Sequence, residues 1–254
     1  MNITYSISQW NYFHYSSQAS LERVIEAVRR QGYGFELWGS WGDETDLYDE
    51  LGRKRLAGPL AGMAVSMHTR GGGARNFDNH VKQIDTAAHL GAKVVVLHPD
   101  DFAADPLNGP DADIIGRVVE YAQRKGVKLA LENGPFEFLS AAFDICPALG
   151  FCLDVGHVYF HRQSMREHLE AFKGRLVHLH IQDIVAPEEA VIPSVFSDHY
   201  VPGTGGIPAD DWRLVAETLR EINYSGIAVF EIKPRNPLQT AFHGTRFFEG
   251  FLRS

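Results

Sequence analysis

Eight short apolar runs of strand-like composition recur along this chain, separated by longer amphipathic stretches, and that alternation restricts the fold more than any other feature. The runs are Ile3 to Trp10, Gly34 to Trp38, Ala64 to Thr69, Lys93 to His98, Lys128 to Asn133, Phe151 to Asp154, Leu176 to Gln182 and Ile227 to Ile232. Their length and bounding residues predict strands. Between them apolar residues repeat at helical spacing, as in Leu21, Val24, Ile25 and Val28 behind a Ser20 N-cap, or Trp212, Val215, Leu219 and Ile222 behind Asp210 and Asp211. A last helix is predicted through Phe247 and Phe251, and Ala141 to Leu149 is the weakest helical unit. Eight strand and helix units close a parallel barrel, whereas an open doubly wound sheet usually stops at about five to seven strands. The 254 residues, 44% of them hydrophobic, suit one such domain, so the expectation is a single (β/α)8 TIM barrel over residues 1–254.

Charge and cysteine content narrow the partners. A formal charge of -8 gives no global basic surface for nucleic acid or an anionic membrane. No run of eighteen or more apolar residues occurs, and Met1 to Ser6 lacks the basic and apolar regions of a signal peptide, so a cytoplasmic protein is expected. Cys146 and Cys152 match no zinc or redox spacing and read as packing residues.

Polar residues within the runs are not scattered. His68, His98, Glu132, Asp154, His180 and Glu231 each stand within two residues of the C-terminal end of a run. The two-residue period of a strand aims such side chains at the barrel axis, and the C-terminal mouth is where barrel enzymes keep their active sites. Any one histidine alone reads as a hydrogen-bonded core residue. Several acids and imidazoles converging on one mouth instead require a cation, because each buried unpaired carboxylate costs several kcal/mol. Carboxylate and imidazole ligands without thiolates suit manganese, magnesium, cobalt or zinc.

The motifs Leu131-Glu132-Asn133, Leu153-Asp154-Val155-Gly156-His157, His178-Leu179-His180-Ile181-Gln182-Asp183, Pro202-Gly203-Thr204-Gly205-Gly206-Ile207 and Phe230-Glu231-Ile232-Lys233-Pro234 resemble the xylose isomerase-like TIM barrel superfamily. That resemblance covers the C-terminal half well, and the N-terminal half more loosely through Gly34-Phe35-Glu36-Leu37-Trp38, His68 and His98. The superfamily holds sugar and sugar-phosphate isomerases and epimerases, inosose isomerases and dehydratases, dehydroshikimate dehydratases and the endonuclease IV group. Resemblance to the epimerases implies one divalent ion on Glu132, Asp154, His180 and Glu231, with Glu132 and Glu231 as the acid-base pair and His157 on a substrate oxygen. The chemistry implied is proton loss α to a carbonyl through a metal-stabilised enediolate, for a small sugar, keto-inositol or related polyhydroxy carbonyl compound. A dehydratase uses the same metal and base. Resemblance to endonuclease IV implies a multi-zinc site that also recruits His68, His98, His157 and His199, but Ser197 stands where that group has an Asp, with Asp198 displaced by one. The acidic charge also argues against DNA. Among superfamily members homo-oligomers are common, so the resemblance allows one here.

Further residues are candidates for the mouth. Trp10, His14, Glu36 and Trp38 follow or end the first two runs, where aromatics wall a sugar face and Glu36 accepts a hydroxyl hydrogen bond. Arg70 with Gly71 to Gly73 reads as a flexible loop or an anion-binding lid. The Gly203 to Gly206 turn lies where barrels often hold phosphate, yet carries no lysine or arginine. Lys233 is placed to reach a substrate carboxylate or hydroxyl, or simply to be solvated, and His178 is expected to be buried one layer below His180.

Overall fold

All eight runs form strands: β1 (Asn2–Ser8), β2 (Gly34–Leu37), β3 (Val65–His68), β4 (Val94–Leu97), β5 (Lys128–Glu132), β6 (Gly150–Asp154), β7 (Leu176–Ile181) and β8 (Ser225–Phe230). Each pairs in parallel with the next, and β8 pairs with β1, closing a (β/α)8 barrel. The computed structural model describes residues 1–43, 46–69, 76–103, 108–185, 198–233 and 236–254. The Arg70 loop and Ser197 lie outside the described residues.

Around the strands run α1 (Leu21–Arg30), α2 (Glu50–Leu60), α3 (Phe77–Leu90), α4 (Ala112–Arg124), α5 (Phe136–Ile145), α6 (Val155–Phe160), α7 (Met165–Phe172), α8 (Ala209–Glu221) and α9 (Pro237–Arg253). The strand period sorts the side chains. On β4 and β5, Val95, Leu97, Leu129 and Leu131 point outward into the large core shared with the helices, while Val94, Val96 and Ala130 join Cys152 inside the barrel. Close approach is demanded at the base of β2, where a Cβ on Gly34 would lie 2.2 Å from Ser6 Oγ and 2.6 Å from the Ala64 carbonyl oxygen.

Several boundaries differ from the sequence reading. Residues Gln9–Tyr15 wind into a 3-10 turn capped by Ser8, so Trp10 belongs to that turn and not to β1. Helix α5 starts at Phe136, well before Ala141, and buries Phe138, Leu139, Ala142 and Phe143. Asp210 and Asp211 sit inside the first turn of α8, where their charges face the positive helix end, and Ile222 is its C-cap. Ser20 does cap α1, accepting from the Arg23 N–H. Among the described residues no helix is long and apolar enough to cross a membrane.

Candidate metal centre

The C-terminal ends of β5, β6 and β7 and the residue just after β8 bring four side chains to one point. Glu132, Asp154, His180 and Glu231 are all buried, and one ligand atom from each lies within 4.8 Å of the others. His180 Nδ1 is 3.0 Å from Glu132 Oε1, 3.5 Å from Glu231 Oε2 and 3.9 Å from Asp154 Oδ2. Three carboxylates around one imidazole nitrogen in a buried mouth are a donor set for a hard or borderline divalent cation, which these residues fit.

Around this set the remaining imidazoles close in. Glu132 Oε1 is 3.3 Å from His157 Nδ1, and its Oε2 is 2.7 Å from His98 Nε2 and 3.6 Å from His68 Nε2. His68 Nδ1 is 2.7 Å from the Thr69 carbonyl oxygen, which makes Nδ1 the donor and leaves Nε2 to face Glu132. His199 Nε2 lies 3.7 Å from Glu231 Oε2. Further triplets also bring ligand atoms within 4.8 Å of one another, among them His68 with His98 and Glu132, Asp154 with His157 and His199, His68 with His180 and Glu231, and Glu36 with His178 and His180.

The backbone at each strand end is pinned by side chains that the sequence reading did not single out. Asn133 donates to the Asp154 carbonyl oxygen and accepts from the Asp154 N–H at 2.6 Å. Asn11 brackets Glu231, donating to the Phe230 carbonyl oxygen and accepting from the Ile232 N–H. Ser8 Oγ donates to Glu231 Oε1 at 3.1 Å. Gln182 Nε2 donates to both oxygens of Asp154, at 3.0 and 2.9 Å, while its Oε1 accepts from the His199 N–H. Two signals were available: Gln182 is one strand period beyond His180, and Asn133 directly follows Glu132. Asp154 also caps α6 through the His157 N–H at 2.8 Å, which explains why an Asp and a His three residues apart share one site.

Electrostatics follow from burial and proximity. Burial alone pushes Glu132 toward its neutral acid, but the His180 and His157 rings outweigh it and hold the carboxyl well below its ordinary range. Glu231 behaves likewise, brought to about 2 against burial mainly by His180. Asp154 goes the other way, raised by burial and by the Glu132 charge. Burial disfavours the charged forms of His68 and His157, yet the surrounding carboxylates lift them to about 9 and about 10.

Residues expected at the mouth divide. Trp38 stacks on His68 with ring centroids 4.4 Å apart, and Trp10 lies against His199 at 4.5 Å. His199 has a left-handed backbone, φ 60°, a strained conformation for a residue other than glycine. Lys233 is ion-paired with Asp198, which also lies 3.2 Å from His199 Nδ1. His14 is exposed. Glu36 is fully buried beneath the mouth. His178 sits in that lower layer with it, 2.9 Å from Glu36 Oε2. The Gly203 to Gly206 turn folds onto Asp183, whose carboxylate accepts from the Gly203 and Ile207 N–H groups, while Gly206 N–H donates to Ile184. Those donors are taken up internally and do not face a phosphate. Two cavities of about 830 and 760 Å³ open at the opposite, N-terminal end of the barrel and contain none of the strand-end acids or imidazoles.

A family model for the xylose isomerase-like TIM barrel matches residues 56–250. The chain belongs to that family. An inosose dehydratase of Histophilus somni (strain 129Pt) is 31% identical over 107 residues, 37% of this chain, and the match spans only 36% of that relative's length. Among solved structures, the IOLI protein with a bound zinc atom superposes with a TM-score of 0.73 at 17% identity, covering 98% of each chain. A D-tagatose 3-epimerase-like protein gives 0.71 at 19% identity, covering 98% of this chain and 97% of its own. An L-ribulose 3-epimerase gives 0.71 at 17%, covering 100% and 95%. At these identities the structural likeness is one of fold.

Proposed function

We propose that this protein is a divalent-metal-dependent isomerase or epimerase of a small polyhydroxylated carbonyl compound, a free sugar or a keto-inositol. The observation that carries the reading is the buried set of Glu132, Asp154, His180 and Glu231 at the barrel mouth, in which two glutamates approach from different strands. A manganese, magnesium, cobalt or zinc ion held by these four residues would polarise a substrate carbonyl as a Lewis acid.

The residues then divide the work. Gln182 engages both oxygens of Asp154, so Asp154 serves as a fixed ligand and not as a base. Glu132 removes the proton α to the carbonyl and Glu231, steadied by Ser8, returns one, with the roles reversing in the opposite direction. His157 keeps part of its ring exposed beside Glu132 and hydrogen-bonds a substrate oxygen. Trp10 and Trp38 supply aromatic walls for the apolar face of a sugar. Internal use of the N–H groups in the Gly203 to Gly206 turn favours an unphosphorylated substrate.

A dehydratase is the second reading, favoured by the partial match to an inosose dehydratase. It needs the same proton removal, followed by departure of a β-hydroxyl. The discriminating experiment incubates metal-loaded protein with ketoses and keto-inositols in D2O. Deuterium at the α-carbon together with a new stereoisomer or positional isomer is expected, and loss of water from a keto-inositol would select the dehydratase. Substrates left unchanged and unlabelled across the panel would contradict both.

A further inference from the structure

Below the four candidate ligands, the barrel interior contains a second polar layer that the proposed chemistry does not use. Glu36, on β2, is wholly buried there with Ser66 from β3 and His178 from β7. Ser66 Oγ donates to Glu36 Oε2 at 2.9 Å, and His178 Nε2 lies 2.9 Å from the same oxygen. A buried carboxylate in a barrel core is costly, so a layer that keeps one is expected to give it a task. Its other oxygen, Oε1, points upward to within 3.1 Å of His180 Nε2. That approach is an ion-pair contact, and both atoms are buried with no hydrogen-bond partner. His180 is therefore approached from two sides, with Nε2 toward Glu36 and Nδ1 toward Glu132, Asp154 and Glu231.

We propose that Glu36 is a positioning residue for the metal centre: it receives the Nε2–H of His180 and so fixes the tautomer that presents an unprotonated Nδ1 to the cation. Ser66 and His178 hold the Glu36 carboxylate in place for this purpose. The inference rests on the metal reading above and adds to it the element that decides which ring nitrogen is the ligand. A ligating imidazole commonly hands its second N–H to a carboxylate, which orients the ring and raises the basicity of the coordinating nitrogen. Here the carboxylate comes from β2, across the barrel from the ligand strands, and faces the ring nitrogen opposite the one that faces Glu132.

The test uses zinc, which is diamagnetic, with the full-length wild type, Glu36→Gln, Glu36→Ala and Ser66→Ala. Calorimetric zinc titration reads affinity, and two-bond ¹H–¹⁵N spectra of histidine-labelled protein read the His180 tautomer. The expected result is a proton on Nε2 and zinc on Nδ1 in the wild type. Zinc affinity should fall about 10- to 100-fold in Glu36→Ala, with Glu36→Gln, which keeps the shape and one acceptor, losing less. Ser66→Ala, which leaves every carboxylate in place, should lose least. If a Glu36 variant fails to fold, the wild-type tautomer still decides: zinc on Nε2, or no proton on Nε2, overturns the inference. Equal zinc affinity in wild type and Glu36→Ala, with an unchanged tautomer, overturns it while leaving the metal reading intact. Failure of the wild type to bind zinc or manganese overturns the metal reading itself.

Discussion

Glu132 lies among four imidazoles, with one oxygen near His180 and His157 and the other near His98 and His68. Those contacts keep the carboxylate ionised despite full burial, which a proton-abstracting group requires. Replacing Glu132 or Glu231 by Gln retains shape and removes the base, so turnover should fall by about 10²- to 10⁴-fold in each variant, measured as α-proton exchange. The imidazoles make a separate prediction for the metal-free protein. His68 and His157 titrate at about 9 and about 10 when folded, against 6.5 for an unperturbed histidine. The stability that their protonation brings is complete below pH 6.5 and is lost as the pH rises through 9 to 10. Glu231, brought down to about 2, contributes stability that is present above about 4.5 and lost as the pH falls toward 2. Urea denaturation of the metal-free protein should therefore show a maximum between pH about 4.5 and 6.5 and a drop of at least about 2 kcal/mol by pH 10. A flat profile from pH 6 to 10 would mean that the histidines are not held as imidazolium by the carboxylates.

At the scale of elements, each strand end is a small machine of ligand, clamp and cap. Asn133 locks the Asp154 backbone, Asn11 brackets Glu231, and Gln182 ties Asp154 to the His199 segment. Gln182→Ala removes the shared donor from both Asp154 oxygens, so metal affinity should fall about 10-fold or more with the fold retained, as read by calorimetry and circular dichroism. Gly34→Ala tests the barrel itself. Its methyl would press on Ser6 and Ala64, and unfolding free energy should drop by about 1–3 kcal/mol with metal stoichiometry unchanged. The strands and the convergence of Glu132, Asp154, His180 and Glu231 were legible because a two-residue period and a strand terminus together fix where a side chain points. Depth and loop geometry were not legible. Glu36 and Trp38 share a strand face in sequence, yet one is sealed in the layer below and the other stacks on His68, a difference set by neighbouring strands. Likewise the left-handed turn at His199 and the folding of the Gly203 to Gly206 turn onto Asp183 depend on partners far along the chain. The start of α5 was misplaced because Phe136 to Phe138 carries apolar residues of no helical period on its own.

For the molecule as a whole, parallel closure of β1 against β8 brings Ser8 and Asn11, from the N-terminal end, onto Glu231 near the C-terminal end. The site thus exists only in the closed barrel, and metal binding and global folding should be linked. Saturating metal at about 100 times its dissociation constant should add about 2.7 kcal/mol to unfolding stability, which a thermal scan in chelator and in metal reads directly. The charge of -8 is consistent with a small neutral substrate and unfavourable for a DNA backbone. All of this depends on a cation seated among four named side chains. The most direct measurement is the metal content of the purified, untagged protein by elemental analysis, repeated on Asp154→Asn. About one manganese, magnesium, cobalt or zinc ion per chain, lost in the variant, is the predicted result; no metal in the wild type after equilibration with each ion, or equal metal in both proteins, would contradict the account.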